Sequence, residues 1–389
     1  MKAERILVIH NRYRERGGED VVVDDEIRLL REHGHVVELF GRDNASIAGM
    51  GKVTLARETV WSSRTTLELE RQIDEFKPDV IHVHNSFPLV SPSLYWAASK
   101  KCRPVVQTLH NFRLMCLQAM FLRNKQVCED CKGTIPWRGV VRGCYHDSTA
   151  QSAVLAGMLV VHWSLGTFHR KVARYIALNQ FSRDKFVEGG LPADRITIKP
   201  NFVRHEPMRE VDRSGALFVG RLSVEKGLSL LAEAVESIPG MTVAVLGNGP
   251  ELPIAQAHPQ LNACGRVDRT EVLRQMNSAS CLVMPSMWYE TFGLVQMEAF
   301  SCGLPVIAPR FGSMAEMIDD NRTGLLFMPG SARDLAAKLA WANQHPQEML
   351  AMGRNARSVY LEKYTPASNY RQLVAIYEAA IEEQAVQVS

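Results

Sequence analysis

No stretch of this chain reaches the roughly 20 consecutive apolar residues that a helix needs to cross a bilayer. The apolar run at 153–163 is too short to span one. No Gly-x-Gly-x-x-Gly follows the first strand-like segment, which excludes the dinucleotide fingerprint of a dehydrogenase. Low-complexity tracts and short internal repeats are missing, so a solenoid is excluded as well. There is no basic leader followed by a long apolar run, and a cytoplasmic location is expected. No RNA- or DNA-binding motif appears, and no nucleic-acid partner is expected. What is present is globular: 389 residues, 46% hydrophobic and 22% charged. That length exceeds one ordinary domain and points to two α/β domains.

Charge is unevenly spread. Residues 101–200 hold 15 Lys plus Arg against 6 Asp plus Glu, a net of +9 in a chain whose total is +3. A basic N-terminal half suits an anionic acceptor surface, such as a lipid diphosphate at the inner face of the membrane. The run at 153–163, followed by His169-Arg170-Lys171, reads either as a core helix with a basic exit or as a helix lying on a membrane surface.

The most informative segment is Pro285-Ser286-Met287-Trp288-Tyr289-Glu290-Thr291-Phe292-Gly293-Leu294-Val295-Gln296-Met297-Glu298. The apolar run 281–284 before it predicts a buried parallel strand. Gly293 lets the chain turn into a helix over 294–302, with Gly303 as its C-cap and Pro305 beyond it. Such a unit sets the loop at the carboxyl end of the sheet, where open α/β folds bind ligands. The amides of Phe292, Gly293 and Leu294 suit an anion there. Glu290 lies in the loop and Glu298 a turn inside the helix, so one reaches the reacting end of a ligand and the other a diol further along it.

A second segment, Leu217-Phe218-Val219-Gly220-Arg221-Leu222-Ser223-Val224-Glu225-Lys226-Gly227, repeats the strand, glycine and helix pattern. Its loop carries two cations. Arg221 offers a planar fork for phosphate oxygens and Lys226 a mobile point charge. Together they can neutralise a leaving diphosphate without a metal ion.

Gly-Arg-Leu-x3-Lys-Gly followed by Pro-Ser-x3-Glu-x-Phe-Gly-x4-Glu resembles the retaining glycosyltransferases of family 4, and the resemblance covers nearly the whole chain. It implies an α/β GT-B fold, two Rossmann-like domains facing each other across a donor-binding cleft. It also implies a hexosyltransferase-type enzyme of class EC 2.4, with no cofactor required for catalysis. By that likeness Arg221 and Lys226 hold the donor diphosphate, Glu290 contacts the donor sugar and Glu298 binds the ribose hydroxyls. The backbone of Phe292, Gly293 and Leu294 contacts the sugar diphosphate, and Gly265-Arg266-Val267 packs against the base. Cys264 departs from the apolar residue that members commonly place before that glycine. Gly247-Asn248-Gly249-Pro250-Glu251 matches a turn of the family. Gly17-Gly18, before a helix that ends near 32, matches its Gly-Gly pair and offers amides to the donor phosphate. His110, just past the strand 105–108, matches a histidine that contacts the donor sugar. The catalytic set is therefore Glu290, His110, Arg221 and Lys226. His82 reads as a core residue, and His84 as either crevice wall or structure.

Further strands are predicted at 5–9, 80–83, 196–198, 216–219, 242–246, 306–308 and 324–327. Helices follow at 332–343, 346–362 and 366–384. The domains are expected at 1–200 and 201–365, with a hinge near 199–203, a polar segment at 204–214, and a C-terminal helix (366–389) crossing back. A cysteine-rich insertion occupies about 113–147. Its Cys116, Cys128, Cys131 and Cys144, with a Cys-x-x-Cys at the centre, have the spacing of a structural four-thiolate zinc site, His146 being a substitute ligand. A disulfide or a group of free thiols is the alternative. Cys102, Cys264, Cys281 and Cys302 are expected as small buried hydrophobes.

The expected partners are a nucleotide-sugar donor, uridine- or guanosine-linked, and a glycan or lipid-linked acceptor. The family likeness adds bacterial surface polysaccharide assembly as the setting. A nucleotide-sugar epimerase of GT-B architecture is the alternative enzyme, and a non-catalytic nucleic-acid-binding protein the alternative class. The second leaves the paired Glu and paired cation motifs without a role.

Overall fold

The computed structural model describes residues 3–204 and 212–388, so residues 205–211 of the expected polar segment lie outside the described residues. The chain forms two compact units. One comprises Met1–Met120, Glu129–Pro200 and Asn369–Ser389, the other Phe121–Cys128 and Asn201–Ser368.

In the first unit, β1 (Arg5–Arg12), β2 (Val36–Asp43), β3 (Val80–Asn85) and β4 (Val105–Thr108) are followed by the short β5 (Leu122–Arg123) and β6 (Gln126–Val127), then β7 (Arg174–Ala177) and β8 (Ile196–Ile198). The sheet order is β2-β1-β3-β4-β7-β8, every pairing parallel. β3 and β4 are buried along their whole length, as a sheet covered on both faces requires. The sequence pattern missed β2 and β7. β2 lies at the sheet edge and alternates buried with exposed residues, and β7 opens on a charged Arg174.

One face of this sheet, Ile6, Val8, Val80, Val106 and Ile176, packs with Val23, Ile27 and Leu30 of the helix Gly18–Glu32. Leu373, Ile376, Tyr377, Ala380 and Ile381 join the same core. These last five belong to the C-terminal helix Pro366–Val388. The apolar run 153–163 falls in the helix Thr149–Ser164, whose Leu155, Ala156, Met158 and Leu159 are buried and whose Val161 is exposed. No helix among the described residues is long and apolar enough to cross a membrane. Some of the cations at 101–200 are ion-paired. Lys101 pairs with Asp74, Lys132 and Lys185 with Glu129 and Glu188, Arg142 with Asp130, and Arg174 with Glu383.

β5 and β6 form an antiparallel hairpin that groups with the second unit. Asn124 and Lys125 at its turn both take positive φ (49° and 60°), the pair that a two-residue primed turn needs.

In the second unit, β9 (Ala216–Val219), β10 (Val243–Leu246), β11 (Leu261–Gly265), β12 (Cys281–Val283), β13 (Val306–Pro309) and β14 (Gly324–Phe327) pair in the order β11-β10-β9-β12-β13-β14. All of these pairings are parallel, which makes a second Rossmann-like sheet. β11 was not anticipated, because at the edge its side chains alternate between inside and solvent. The same position explains why Cys264 is exposed rather than buried. Cys102 is exposed too, in a left-handed turn (φ 52°) after the helix Leu94–Lys100. Cys281 and Cys302 are buried as expected.

Candidate functional site

Chain order reverses between β9 and β12 in the second sheet, so the loops after these strands border the switch point where open sheets bind ligands. Four loops meet there and are tied together by their backbones. A Cβ on Gly227 would lie 2.0 Å from the Pro285 carbonyl oxygen, and Gly227 also holds the left-handed φ of 74°. Glycine alone meets both demands. The Met287 amide donates to the Glu225 carbonyl at 2.8 Å, a second tie between the loops after β9 and β12. The turn 247–251 is joined as closely. Leu222 N donates to Asn248 O and Glu251 N to Leu222 O, and a Cβ on Gly247 would lie 1.8 Å from Gly220 O. Gly247 N donates to Gly265 O at 2.8 Å, which attaches the 265–267 segment.

On this frame the Lys226 ammonium is in contact with Glu290 Oε1, and it lies 5.3 Å from the centre of the Trp288 ring. The same carboxylate oxygen accepts from Ser286 Oγ at 3.1 Å and Trp288 Nε1 at 3.0 Å. Ser313 Oγ donates to the Glu290 carbonyl. Glu290 is buried and Lys226 half-buried, while Arg221 is exposed on the same loop. The structure thus brings together Lys226 and Glu290, 64 positions apart, through a charge-assisted contact.

The helix beyond them is Leu294–Ser301, opened by Gly293 at φ 73°, so the amides of Phe292, Gly293 and Leu294 lie at its N-terminus. Phe292 is buried, with its ring edge-on to Tyr364 at 5.9 Å. Glu298 lies within the helix, half-buried, with Arg269 Nη2 at 3.6 Å. Ser286 and Trp288 stand inside the motif and were legible as neighbours of Glu290. Ser313 and Arg269 come from the first turns of the helices Gly312–Met317 and Arg269–Ser278 and carry no sequence signal.

In the first unit the reversal falls between β1 and β3. Gly17 is the N-cap of the helix Gly18–Glu32, but its amide donates to Asp20 Oδ2 at 2.8 Å. Glu19 and Asp20 already place acidic groups in that first turn. Asp20 Oδ1 also lies 2.8 Å from His10 Nε2. Burial works to raise the Asp20 carboxyl, yet His10 and the Gly17 amide hold it below the ordinary value. Glu19 Oε2 accepts from the Tyr13 hydroxyl at 2.9 Å, and Asn111 Nδ2 lies at 3.4 Å. Burial pushes the Glu19 carboxyl up to about 8.

His110 follows β4. Its Nε2 is 2.9 Å from Nδ1 of His84, with the two rings stacked at 5.2 Å. His84 and His82 are both buried and both face Glu26 Oε1, at 3.2 and 3.0 Å. The ligand atoms of Glu26, His82 and His84 lie within 4.8 Å of one another, a metal-like grouping. Lys199 Nζ, however, is 3.0 Å from Glu26 Oε2, and a full positive charge there opposes a cation.

The cysteine-rich segment surrounds the short helix Trp137–Val141. Cys131 Sγ would lie 3.4 Å from a Cβ on Gly139, and Cys144 N donates to Gly139 O at 2.9 Å. Leu117, next to Cys116, packs on the same glycine. All four cysteines are partly buried.

Residues 16–206 match the family model of Glycosyltransferase Family 4, and residues 204–359 match that of Glycosyl transferases group 1. The chain is built from two glycosyltransferase-family domains. Among curated relatives, the sulfoquinovosyl transferase SQD2 of Arabidopsis thaliana is 33% identical over 183 residues, covering 44% of this chain and 35% of that protein. The D-rhamnosyltransferase WbpZ of Pseudomonas aeruginosa is 31% identical over 158 residues, 38% of this chain and 41% of that protein. The chain spans about a third of the length of the first relatives it matches. Two solved structures share the fold. Sucrose-phosphate synthase from Thermosynechococcus elongatus matches with a TM-score of 0.71 at 18% identity, over 99% of this chain and 100% of that one. HepE of Anabaena, solved in complex with UDP, matches with a TM-score of 0.65 at 17% identity, over 96% and 100%. The fold of this glycosyltransferase-family chain is therefore GT-B.

Proposed function

We propose that this protein transfers a sugar, with retention of configuration, from a nucleotide-diphosphate sugar to a glycan or lipid-linked acceptor. The observation that carries the reading is the Lys226–Glu290 contact at the switch point of the second sheet, a cation and a carboxylate held by four interlocked loops. In this reading Arg221, Lys226 and the amides of Phe292, Gly293 and Leu294 take the diphosphate. Glu290 orients the donor sugar, Glu298 the ribose, and the segment 265–267 the base. As the nucleotide leaves, its charge gathers on the phosphate oxygens, where Lys226 and Arg221 are worth most. The acceptor hydroxyl attacks from the face the nucleotide vacates, and its proton passes to the departing phosphate oxygen. On the first unit, His110 meets the sugar and the Gly17–Gly18 loop lies beside the phosphates. Solved structures of HepE hold UDP and UDP-glucose, which supports a uridine-linked donor here.

The relatives are named as transferases, which disfavours an epimerase. The setting we favour is surface polysaccharide assembly, with the acceptor met at the inner face of the membrane. The cysteine-rich segment is read as a structural zinc site of Cys116, Cys128, Cys131 and Cys144. Elemental analysis giving about one zinc per chain supports that reading, and metal-free folded protein refutes it.

The test of function is incubation with UDP- and GDP-sugars, with and without a mixture of lipid-linked glycans. Acceptor-dependent release of the nucleoside diphosphate supports transfer, and the anomeric configuration of the product tests retention. Conversion of the sugar nucleotide with no acceptor present would instead favour the epimerase.

A further inference from the structure

Side chains from the loop after β3, the loop after β4 and the cysteine-rich segment meet around one guanidinium in the first unit. The Arg113 guanidinium carbon lies 4.6 Å from the centre of the Phe87 ring and 5.2 Å from that of Tyr145. Those two rings stand edge-on, 85° apart with centres 5.8 Å from one another, so Arg113 packs into the corner between them. Its Nη1 donates to Leu117 O at 2.6 Å. The Arg113 amide donates to Asn111 Oδ1 at 3.1 Å, and Asn111 Nδ2 donates to Glu19 Oε2 at 3.4 Å. Both the backbone and the head of Arg113 are therefore fixed. No carboxylate pairs with it among the described residues, and Leu117 O is the one acceptor of its guanidinium there. Arg113, Phe87, Tyr145, Asn111 and Glu19 are all half-buried, so the group borders solvent.

We propose that Arg113 is an anion-binding residue, at the carboxyl end of the first sheet, that holds the phosphate of a lipid-linked acceptor. That the anion belongs to the acceptor rests on the transfer reading above. The anion site itself does not.

A guanidinium keeps its charge throughout the pH range of a folded protein and carries five N–H donors in a planar fork. The Leu117 carbonyl takes one of them. The two rings attract the cation through their faces but offer its remaining donors no anion. They also hold the side chain in one geometry, which lowers the ordering entropy that a flexible surface cation loses on binding. Other cations of the same region, Lys101, Lys132, Arg142 and Lys185, are paired with Asp or Glu, and Arg113 is not. Glu19 is close enough for the Arg113 charge to act on it, yet burial pushes its carboxyl up to about 8. At neutral pH it therefore leaves that charge uncancelled. What such a fork takes is a group with anionic oxygens, and on a lipid-linked acceptor that group is the phosphate.

The test is calorimetric titration of the intact protein with farnesyl diphosphate, with UDP in excess to fill the donor loops. Farnesol, the same chain without phosphate, and glucuronate, a carboxylate, are titrated beside it. The wild type is expected to bind the diphosphate saturably and both controls far more weakly. Arg113→Met keeps a stem between the rings and removes the charge. Its affinity for farnesyl diphosphate is expected to fall about tenfold or more, the loss of a charge-assisted hydrogen bond. The rise in thermal midpoint with UDP should be unchanged in that variant. Arg113→Lys, which keeps the charge but not the fork, is expected to lie between the two. Equal affinity in the wild type and folded Arg113→Met overturns the proposal, as does tighter binding of glucuronate than of the diphosphate. Should Arg113→Met not fold, the wild type decides alone: no saturable binding of farnesyl diphosphate, or equal binding of farnesol, overturns it. A protein that binds the diphosphate through Arg113 but transfers no sugar would refute the function and leave this site standing.

Discussion

Glu19 and Glu290 are both carboxylic acids near the carboxyl ends of parallel strands, yet their surroundings set opposite tasks. Glu290 Oε1 sits among three donors, Lys226, Ser286 and Trp288, an environment made for an anion. For Glu19 burial dominates and lifts the carboxyl to about 8, against hydrogen bonds from Tyr13 and Asn111. The folded protein therefore keeps a proton that the unfolded chain has released. By linkage, the stability Glu19 contributes is complete below the unfolded value of 4.5 and is lost as pH rises through 8. We expect the urea midpoint to fall between pH 5 and pH 9, with Glu19 accounting for about 1–2 kcal/mol. The full shift would imply more, but the side chain is half-buried and water screens it. Glu19→Gln should flatten that part of the profile, and an unchanged slope would show that the proton is not held there. The motif residues were legible because function demands their residue types at fixed spacing. Glu26, Ser313 and Arg269 were not, because each acts through a fold contact between segments distant in sequence.

At the level of elements, the strands read well where they are central and poorly at the edges. β3, β4, β9 and β13 are short apolar runs bounded by glycine, proline or polar residues, and their burial leaves few alternatives. β2 and β11 are edge strands whose second side faces solvent, so their apolar runs are broken and the pattern fades. The helix after Gly293 ended within one residue of its expected end. Gly303 takes φ 65° there, and the Leu304 amide returns to the Ala299 carbonyl at 2.8 Å, which closes the last turn. No periodicity could reveal that Gly227 is pressed against Pro285. Gly227→Ala combines a left-handed backbone with overlap on a carbonyl oxygen, and we expect it to destabilise by about 2–4 kcal/mol. Gly330, also at positive φ (73°) but with nothing within 4 Å of a Cβ, is the control. Gly330→Ala should cost about 1–2 kcal/mol, for the backbone alone. Equal losses at the two sites would mean that the contact between the loops contributes nothing.

Across the whole molecule, each unit carries its own parallel sheet, and the last helix belongs largely to the first. Leu373, Ile376 and Tyr377 are buried in that unit's core, and the Tyr377 hydroxyl meets His82. Leu373→Ala should therefore destabilise by about 2–5 kcal/mol, seen as an earlier thermal transition of the unit formed by residues 1–120 and 129–200. If the transition were unmoved, the helix would be an appendage rather than part of that core. The two-domain organisation could be anticipated from length and motif placement. That the hairpin at 122–127 groups with the second unit could not, since nothing in its composition distinguishes it from the rest of the cysteine-rich segment.

The most direct test of the account is thermal unfolding of the intact protein with and without UDP and GDP, beside the Glu298→Ala variant. A ligand that binds only the folded state, at 100 times its dissociation constant, stabilises by about 2.7 kcal/mol. For a unit of this size that is a rise in midpoint of about 5 °C or more. Such a rise is expected with one of the two nucleotides and is expected to be lost in Glu298→Ala, with the variant's own midpoint nearly unchanged. If neither nucleotide moves the wild-type midpoint, the loops after β9 and β12 are not a nucleotide-sugar site, and the transfer reading fails with them.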